Sequence, residues 1–447
     1  MNKKIMDFLD SVCKFVNCKE AHPEIRDELS MHIEDLQAEL IGKGYSEISA
    51  LDTAITAMGE SSVIGSQLNK QHKPRFDWLL IGLITIIAFI GAALMTVCRQ
   101  YETVMRINYS KYVFYAIIGI GIMALLCFFD YRKLVKKALP LFVISFIFFL
   151  FCTFGAYILA NYCMNFEQWY VPYYYIYIML RFVKQAPILL FTVSYAGIIY
   201  RYKGKGAIAV MKLITLALLS LFAVPFAAPI ALLSCCYGVL LFNGVIKKHF
   251  GGSRNNQLFI LFGGIILAAG IIILFNWLHL HFRNNIISSL WYWDFVNQAD
   301  SQQPYYWLST SKWFGQTDVV LNGKNFFMSM PFPLTDYALI NVAATLGRAV
   351  ALALIIVITL LAIRMLRITY KIRNTYGFFL SLTACTVLSA QFILTILMCL
   401  GLFPRIRMGL PFISYGITNY VVCAVLAGLI LSTWYRNHLV SENIPVK

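Results

Sequence analysis

From Trp78 onward the chain is a series of long apolar runs separated by short polar joints, most of them basic. Before that point the pattern is different. Apolar residues there recur every three or four positions, as at Ile25, Leu29, Ile33, Leu36 and Leu40, the stripe of an amphipathic helix. Gly44 suits the stop of that helix and Ser46 the N-cap of the next. Ile48, Leu51, Ile55 and Met58 of that second helix are expected to face inward before Gly59 ends it. Residues 1–76 are therefore expected to form a small soluble helical domain. Lys73, Pro74 and Arg75 make a basic collar ahead of Trp78, an interfacial residue at the mouth of the first apolar run.

A run of roughly 20 apolar residues can cross the hydrocarbon core of a bilayer. Ten are predicted, near 78–98, 112–129, 138–160, 183–200, 211–227, 229–246, 256–277, 337–363, 377–400 and 414–435, with Pro225 and Pro229 marking the turn between the fifth and sixth. The expected fold class is an all-α polytopic membrane protein: the soluble domain 1–76, a ten-helix membrane domain 77–436 and a short tail 437–447. Lys and Arg should gather in cytoplasmic loops. Arg132, Lys133, Lys136 and Lys137 fall in one joint, Arg201, Lys203 and Lys205 in another, then Lys247, Lys248 and Arg254, then Arg364, Arg367, Lys371 and Arg373, and last Arg436. Ten spans put all these clusters and both termini in the cytoplasm. An odd count would put the last cluster on the wrong side.

Composition agrees. Hydrophobic residues make up 60% of the chain and charged residues 13%, against about 25% charged in soluble domains, so lipid is the solvent for most of it. Met1 to Val16 carries acids and ends without a small-residue cleavage site, and no cleavable signal peptide is expected. Twelve of the 21 acidic residues precede Asp77, so the N-terminal segment is slightly acidic and the chain's net charge of +16 comes from the rest. A basic excess can mark nucleic-acid binding. Here the cations sit at span ends, as topology signals do, and no nucleic-acid partner is expected. The 11 cysteines are scattered, mostly in apolar runs, and Cys13 and Cys18 fit no metal-ligand spacing, so structural roles are expected.

One joint is long. The segment from His279 to Asp336, expected on the outer side, carries Trp291, Trp293, Trp307 and Trp313. Loops of that length are usually functional, although the aromatic residues alone would also fit a belt at the outer interface. Carboxylates beyond residue 76 are few. Asp77, Asp130 and Glu442 fall on the cytoplasmic side, and Glu102, Glu167, Asp294, Asp300, Asp318 and Asp336 outside. Asp336 sits at the entrance of the eighth span, where a carboxylate could do chemistry or merely cap the helix. Arg348, about 18 Å further along the same helix, would be an ionisable residue at depth, facing an anionic group or an internal acceptor. His279 and His281 have no third metal ligand at a recognisable spacing. The phosphate-binding Gly-x-x-x-x-Gly-Lys-Ser/Thr pattern is absent, which argues against an ATP-driven pump, and no Ser/His/Asp arrangement declares itself.

Leu402-Phe403-Pro404 followed by Leu410-Pro411-Phe412-Ile413-Ser414-Tyr415-Gly416 resembles the hallmark of the SEDS family (FtsW/RodA/SpoVE type). Thr335-Asp336-Tyr337 falls on its Thr-Asp-Phe, Leu346-Gly347 on its Leu-Gly, and Gln391 on a glutamine of its ninth span. Trp313-Phe314-Gly315 is similar to its Gly-Leu-Phe-Gly stretch and Asp130-Tyr131-Arg132-Lys133-Leu134 to its Asp-Tyr-Arg-Lys-Leu loop. The resemblance covers 77–436 in topology and is specific over 313–436. The N-terminal segment resembles a helical prefix domain of some Firmicutes permeases and SEDS-like proteins, through Glu28-Leu29, His32, Met58-Gly59 and Ile64-Gly65.

The resemblance implies a peptidoglycan glycosyltransferase of the bacterial cytoplasmic membrane that polymerises lipid II, with a penicillin-binding transpeptidase as partner. Asp336 would be the general base. Thr335, Gln391, Ser414 and Tyr415 would line the substrate site. Lys111, Lys184, Arg283, Arg348, Arg405 and Arg407 are candidates to offset the pyrophosphate charge, together with a divalent cation (Mg or Mn) that no residues can be assigned to hold. The sequence departs from the family where Ala343-Ala344-Thr345 replaces Gly-Glu-Glu and Gly416-Ile417-Thr418-Asn419 replaces Gly-Gly-Ser-Ser. Only Gln185-Ala186-Pro187 and Ala228-Pro229-Ile230 stand where the family has Gln-Pro-Ser-Glu and Gln-Pro-Asp. These losses leave two rival expectations, a lipid-linked-sugar flippase or transporter, and a catalytically silent scaffold for a transpeptidase. The symmetric halves of an inverted-repeat transporter are not seen.

Overall fold

The structure, a computed structural model, describes residues 3–71, 73–97, 108–164, 185–224, 227–281, 302–319, 326, 330, 334–403 and 408–439. The N-terminal part is four helices, α1 (Lys3–Lys14), α2 (His22–Gly42), α3 (Glu47–Met58) and α4 (Ser61–Gln71). Ser46 caps α3 by accepting a hydrogen bond from the Ser49 N–H, and Gly44 and Gly59 take the positive φ values, 93° and 95°, that stop α2 and α3. Ile5, Leu9, Val12, Ile25, Leu29, Ile33 and Leu51 form its core, with Leu36, Leu40, Ile55 and Met58 packed at the margin. Ile48, expected inside, is 75% exposed. It lies in the first turn of α3, and it is Ala50, Leu51 and Ala54 that turn inward instead.

The membrane region follows as α5 (Trp78–Val97), α6 (Tyr109–Phe128), α7 (Lys133–Met164), α8 (Ala186–Arg201), α9 (Gly206–Ala223), α10 (Ala227–Ile246), α11 (Arg254–His281), α14 (Arg348–Tyr370), α15 (Thr375–Cys399) and α16 (Ile417–Tyr435). Two short helices, α12 (Gln302–Thr310) and α13 (Ala338–Thr345), precede α14. Among the described residues eight helices are long and apolar enough to cross a membrane, and α8, apolar but 16 residues long, and α11, 28 residues, stand where the fourth and seventh spans are expected. This is an all-α polytopic membrane protein. Of those eight, α15 and α16 are the most enclosed, and α10 lies against α15 as well.

Alternation of the helices sorts the joints into two ends. At the basic end, Asp77 accepts from the Leu80 N–H at 2.8 Å, capping α5, and pairs with Arg364 of α14. Arg436, 1% exposed, donates to the Cys127 and Phe128 carbonyls at 3.0 and 2.5 Å, so a cation closes the C-terminal end of α6 where the helix dipole favours one. Asp130 pairs with Arg132 in the joint that follows. Burial pushes the Asp130 carboxyl up, but the hydrogen bonds and charge of Arg132 outweigh it and hold the group below its ordinary range.

The eighth span differs from its expectation. Residues 337–363 do not form one helix: α13 ends at Thr345, and α14 begins afresh at Arg348. Gly347 sits between them at φ 105°, a conformation no helix interior can hold. Arg348 is therefore at the mouth of a 23-residue span, not deep along a helix that starts at Asp336. The long loop is not wholly irregular either, since it contains α12, whose Trp307 is fully buried against Phe326. Residues 282–301 of that loop lie outside the described residues.

Candidate functional site

Asp336 lies in a turn, Leu334–Tyr337, one residue before the N-cap of α13, and is 7% exposed. All eight residues of α13 are buried, so the turn is anchored from behind by a helix wedged into the bundle. In front of it lies the segment Leu410–Gly416, which is tied to the same turn by its backbone and by one side chain. The Tyr415 N–H donates to the Leu334 carbonyl at 2.8 Å. Ser414 Oγ donates to the Thr335 carbonyl at 2.6 Å and accepts from the Leu410 N–H at 2.7 Å. The two residues that precede Asp336 thus both have their carbonyls held by the Leu410–Gly416 segment.

The approach is close enough to require glycine at 409. A Cβ there would fall 2.5 Å from Ser414 Cβ and Oγ and 2.9 Å from the Thr335 carbonyl oxygen. Behind the segment, Gln391 of α15 donates from Nε2 to the Gly409 carbonyl and to Asn419 Oδ1, both at 2.7 Å. Asn419 in turn donates to the Leu410 carbonyl at 3.3 Å. Both amide hydrogens of Gln391 are spent on these ties, and the residue is 2% exposed. Buried polar groups of this kind are satisfied as a network or not at all.

The loop ahead of α13 completes the mouth. The Gly315 N–H donates to Leu346 O at 3.2 Å and the Thr317 N–H to Ala344 O at 2.8 Å, while the Arg348 and Ala349 N–H groups donate to Lys312 O and Trp313 O at 2.9 and 3.1 Å. The Trp313-Phe314-Gly315 stretch therefore stitches the break between α13 and α14, and takes up N–H groups that the start of α14 leaves without helical partners. The Arg348 guanidinium lies 5.2 Å from the centre of the Trp313 ring, and its Nε is buried with no hydrogen-bond partner among the described residues.

Of the residues singled out in the sequence, Asp336, Thr335, Ser414, Tyr415 and Gln391 gather at this mouth, with Arg348 at the adjoining break. Lys111 is exposed in the first turn of α6, where its N–H donates to the Asn108 side chain, and Tyr115 one turn on stacks 5.8 Å from the Tyr415 ring. Lys184, Arg283, Arg405 and Arg407 lie outside the described residues, as do the side chains of His279 and His281. Sequence reasoning missed Asn419, which stands where the family has a polar residue, and Tyr112 of α6, which donates to the Phe412 carbonyl at 3.1 Å.

A resident divalent cation is not matched by the donors present. Among the described residues no three of His, Cys, Asp or Glu converge, and Ala343 and Ala344, standing with Thr345 where the family has Gly-Glu-Glu, are packed in the interior. Thr345 spends its hydroxyl on the Asn341 carbonyl.

A helical membrane bundle with a broken eighth span and a buried carboxylate at its mouth defines a class of polytopic membrane protein. The chain belongs to the FtsW/RodA/SpoVE family of cell cycle proteins, whose model matches residues 71–438. It is 23% identical over 239 residues to a protein of Francisella salina named "Probable peptidoglycan glycosyltransferase FtsW", a match covering 52% of this chain and 56% of that one. A protein of Trichlorobacter lovleyi with the same name is 27% identical over 130 residues, covering 29% and 34%. The chain thus spans about half or less of the length of these relatives. A solved chain from a peptidoglycan synthase complex, studied for the structural coordination of polymerization and crosslinking, superposes with a TM-score of 0.56 over 81% of this chain and 98% of that one. Its sequence identity is 15%, so the likeness is one of fold.

Proposed function

We propose that this protein is a peptidoglycan glycosyltransferase that polymerises lipid II at the outer face of the bacterial cytoplasmic membrane, with both termini inside. The observation that carries the reading is Asp336, a nearly buried carboxylate at one mouth of the bundle, directly after two residues whose carbonyls are tied to the Leu410–Gly416 segment. The basic joints all fall at the opposite end, which suits that orientation. In the proposed reaction Asp336 takes the proton from the acceptor sugar hydroxyl as its oxygen bonds to the anomeric carbon of the donor. The bond from that carbon to the lipid pyrophosphate breaks, and the pyrophosphate leaves with the electron pair. Arg348 and Lys111 are candidates to offset its charge, with Lys184 and Arg283 as further candidates.

Thr335 and Tyr415 flank the substrate in this reading. Gln391 and Ser414 act by holding the site, because their polar atoms are already engaged. A penicillin-binding transpeptidase is the proposed partner, in line with the synthase complex whose fold this chain shares. The scaffold reading keeps one specific observation in its favour, the apolar packing at Ala343 and Ala344.

The test is polymerisation of labelled lipid II by the purified full-length protein, alone and with a candidate transpeptidase, beside Asp336→Asn. Glycan strands from the wild type and a loss of about 100-fold or more in the variant are expected. A folded, lipid II-binding protein that makes no polymer under either condition would sink the enzyme reading and leave the scaffold.

A further inference from the structure

Phe412, within the Leu410–Gly416 segment, has φ 61°. A bulky side chain in the left-handed region is strained and persists only where its surroundings impose it. The Tyr112 hydroxyl donates to the Phe412 carbonyl at 3.1 Å, and the Phe412 ring, 2% exposed, meets Tyr420 edge-to-face at 5.8 Å. Tyr420 meets Tyr112 in the same way at 6.1 Å. Two glycines clear the space: a Cβ at Gly91 of α5 would lie 2.0 Å from the Tyr112 oxygen, and one at Gly119 of α6 would lie 2.5 Å from the Tyr420 ring. Neither glycine has a positive φ, so close approach is what demands them.

We propose that Tyr112 is a positioning residue for the reaction, its hydroxyl fixing the left-handed Phe412 so that Ser414 and the Tyr415 N–H meet the Thr335 and Leu334 carbonyls immediately before Asp336. The proposal rests on Asp336 being the reacting base. It makes α6 a support of the catalytic turn, although α6 contributes nothing to the turn itself. The chain of contacts is short: Tyr112 to Phe412, two residues on to Ser414, and from Ser414 to Thr335 beside the carboxylate.

The experiment compares full-length wild type with Tyr112→Phe, which deletes the hydroxyl and keeps the ring, and with Tyr195→Phe. Tyr195 donates to the Leu213 carbonyl at 2.9 Å, so its variant loses the same kind of buried bond far along the sequence from the mouth. Lipid II polymerisation would be followed for kcat and KM, and amide exchange over 410–415 by mass spectrometry. Tyr112→Phe should lower kcat about tenfold, the worth of one buried hydrogen bond, with KM within about twofold and faster exchange over 410–415. Tyr195→Phe should change neither. Wild-type kcat in Tyr112→Phe, or an equal fall in both variants, overturns the proposal while leaving the base reading intact if Asp336→Asn is inactive. Should the wild type make no polymer, the function reading fails separately. The catalytic role of Tyr112 falls with it, and the exchange result then decides only the hold on the segment: protection lost in Tyr112→Phe alone shows that Tyr112 fixes residues 410–415, and protection retained refutes that as well.

Discussion

Ser414 shows how much of the site one hydroxyl carries. It donates to Thr335 and accepts from Leu410 within a pocket that only glycine at 409 leaves open. Ser414→Ala leaves the Leu410 N–H buried without its acceptor, a penalty of about 1–3 kcal/mol. The variant should unfold at a lower temperature in detergent and exchange the Leu410 amide faster. Equal stability of Ser414→Ala and wild type would mean that the tie is not maintained in solution. The sequence singles out Asp336, Thr335, Ser414, Tyr415 and Gln391 because they fall in short runs that resemble a family's motifs. It does not separate residues placed to meet a substrate from residues that hold others. That difference depends on where each polar atom points, and Gln391 has both of its donors turned inward. Tyr112 is invisible in the sequence for a related reason: an aromatic residue in an apolar run reads as membrane-facing or core until its hydroxyl is seen against a particular carbonyl.

At the scale of elements, the break before α14 is the feature that hydropathy misses. Residues 337–363 are apolar throughout, apart from a few polar positions, so the pattern favours one long helix. Against that stand Gly347 and the loop stretch that donates to and accepts from the chain on both sides of it. The cue was present as the pairing of Trp313-Phe314-Gly315 with Leu346-Gly347, but spacing alone cannot say that two motifs more than 30 residues apart touch. Gly347→Ala tests the element. Its Cβ would enter within 2.5 Å of the Trp313 carbonyl oxygen, which is backbone and cannot swing aside, and its φ of 105° strains any L side chain. Strain of this kind costs roughly 1–3 kcal/mol before the steric term is added. The expected result is faster amide exchange over 312–317, together with reduced polymerisation. Unchanged exchange across that stretch would show that α13 and α14 do not need the break as described.

For the whole molecule, the open matter is how the acidic N-terminal domain is held to a basic membrane bundle. Charge alone suggests a loose electrostatic association, and the exposed ion pairs within the domain, Lys4 with Asp52 and Arg26 with Asp10, are of the kind that contributes little. The structure supplies an apolar tie instead. After α16 the chain turns at Arg436, where Asn437 accepts from the Arg373 N–H at 2.8 Å and donates to the Lys371 carbonyl at 3.0 Å. Leu439, two residues further, is 1% exposed and belongs to the core of Ile5, Leu9 and Ile25. Phe76 stacks 5.0 Å from Tyr435, so the linker into the first span is held to the same corner. Hydropathy predicts a division into domain, bundle and tail, but not the place of Leu439 in the domain core, because a single leucine carries no periodicity. Leu439→Ala removes a buried side chain at a cost of about 2–5 kcal/mol, and that cost should fall on the N-terminal domain and its attachment. Amide exchange should quicken in α1 and α2, and the linker before Trp78 should become sensitive to protease, while protection within α15 and α16 is kept. If protection in α1 and α2 were unchanged, the domain would be stable without the tail, and its attachment would have to be sought in the linker alone.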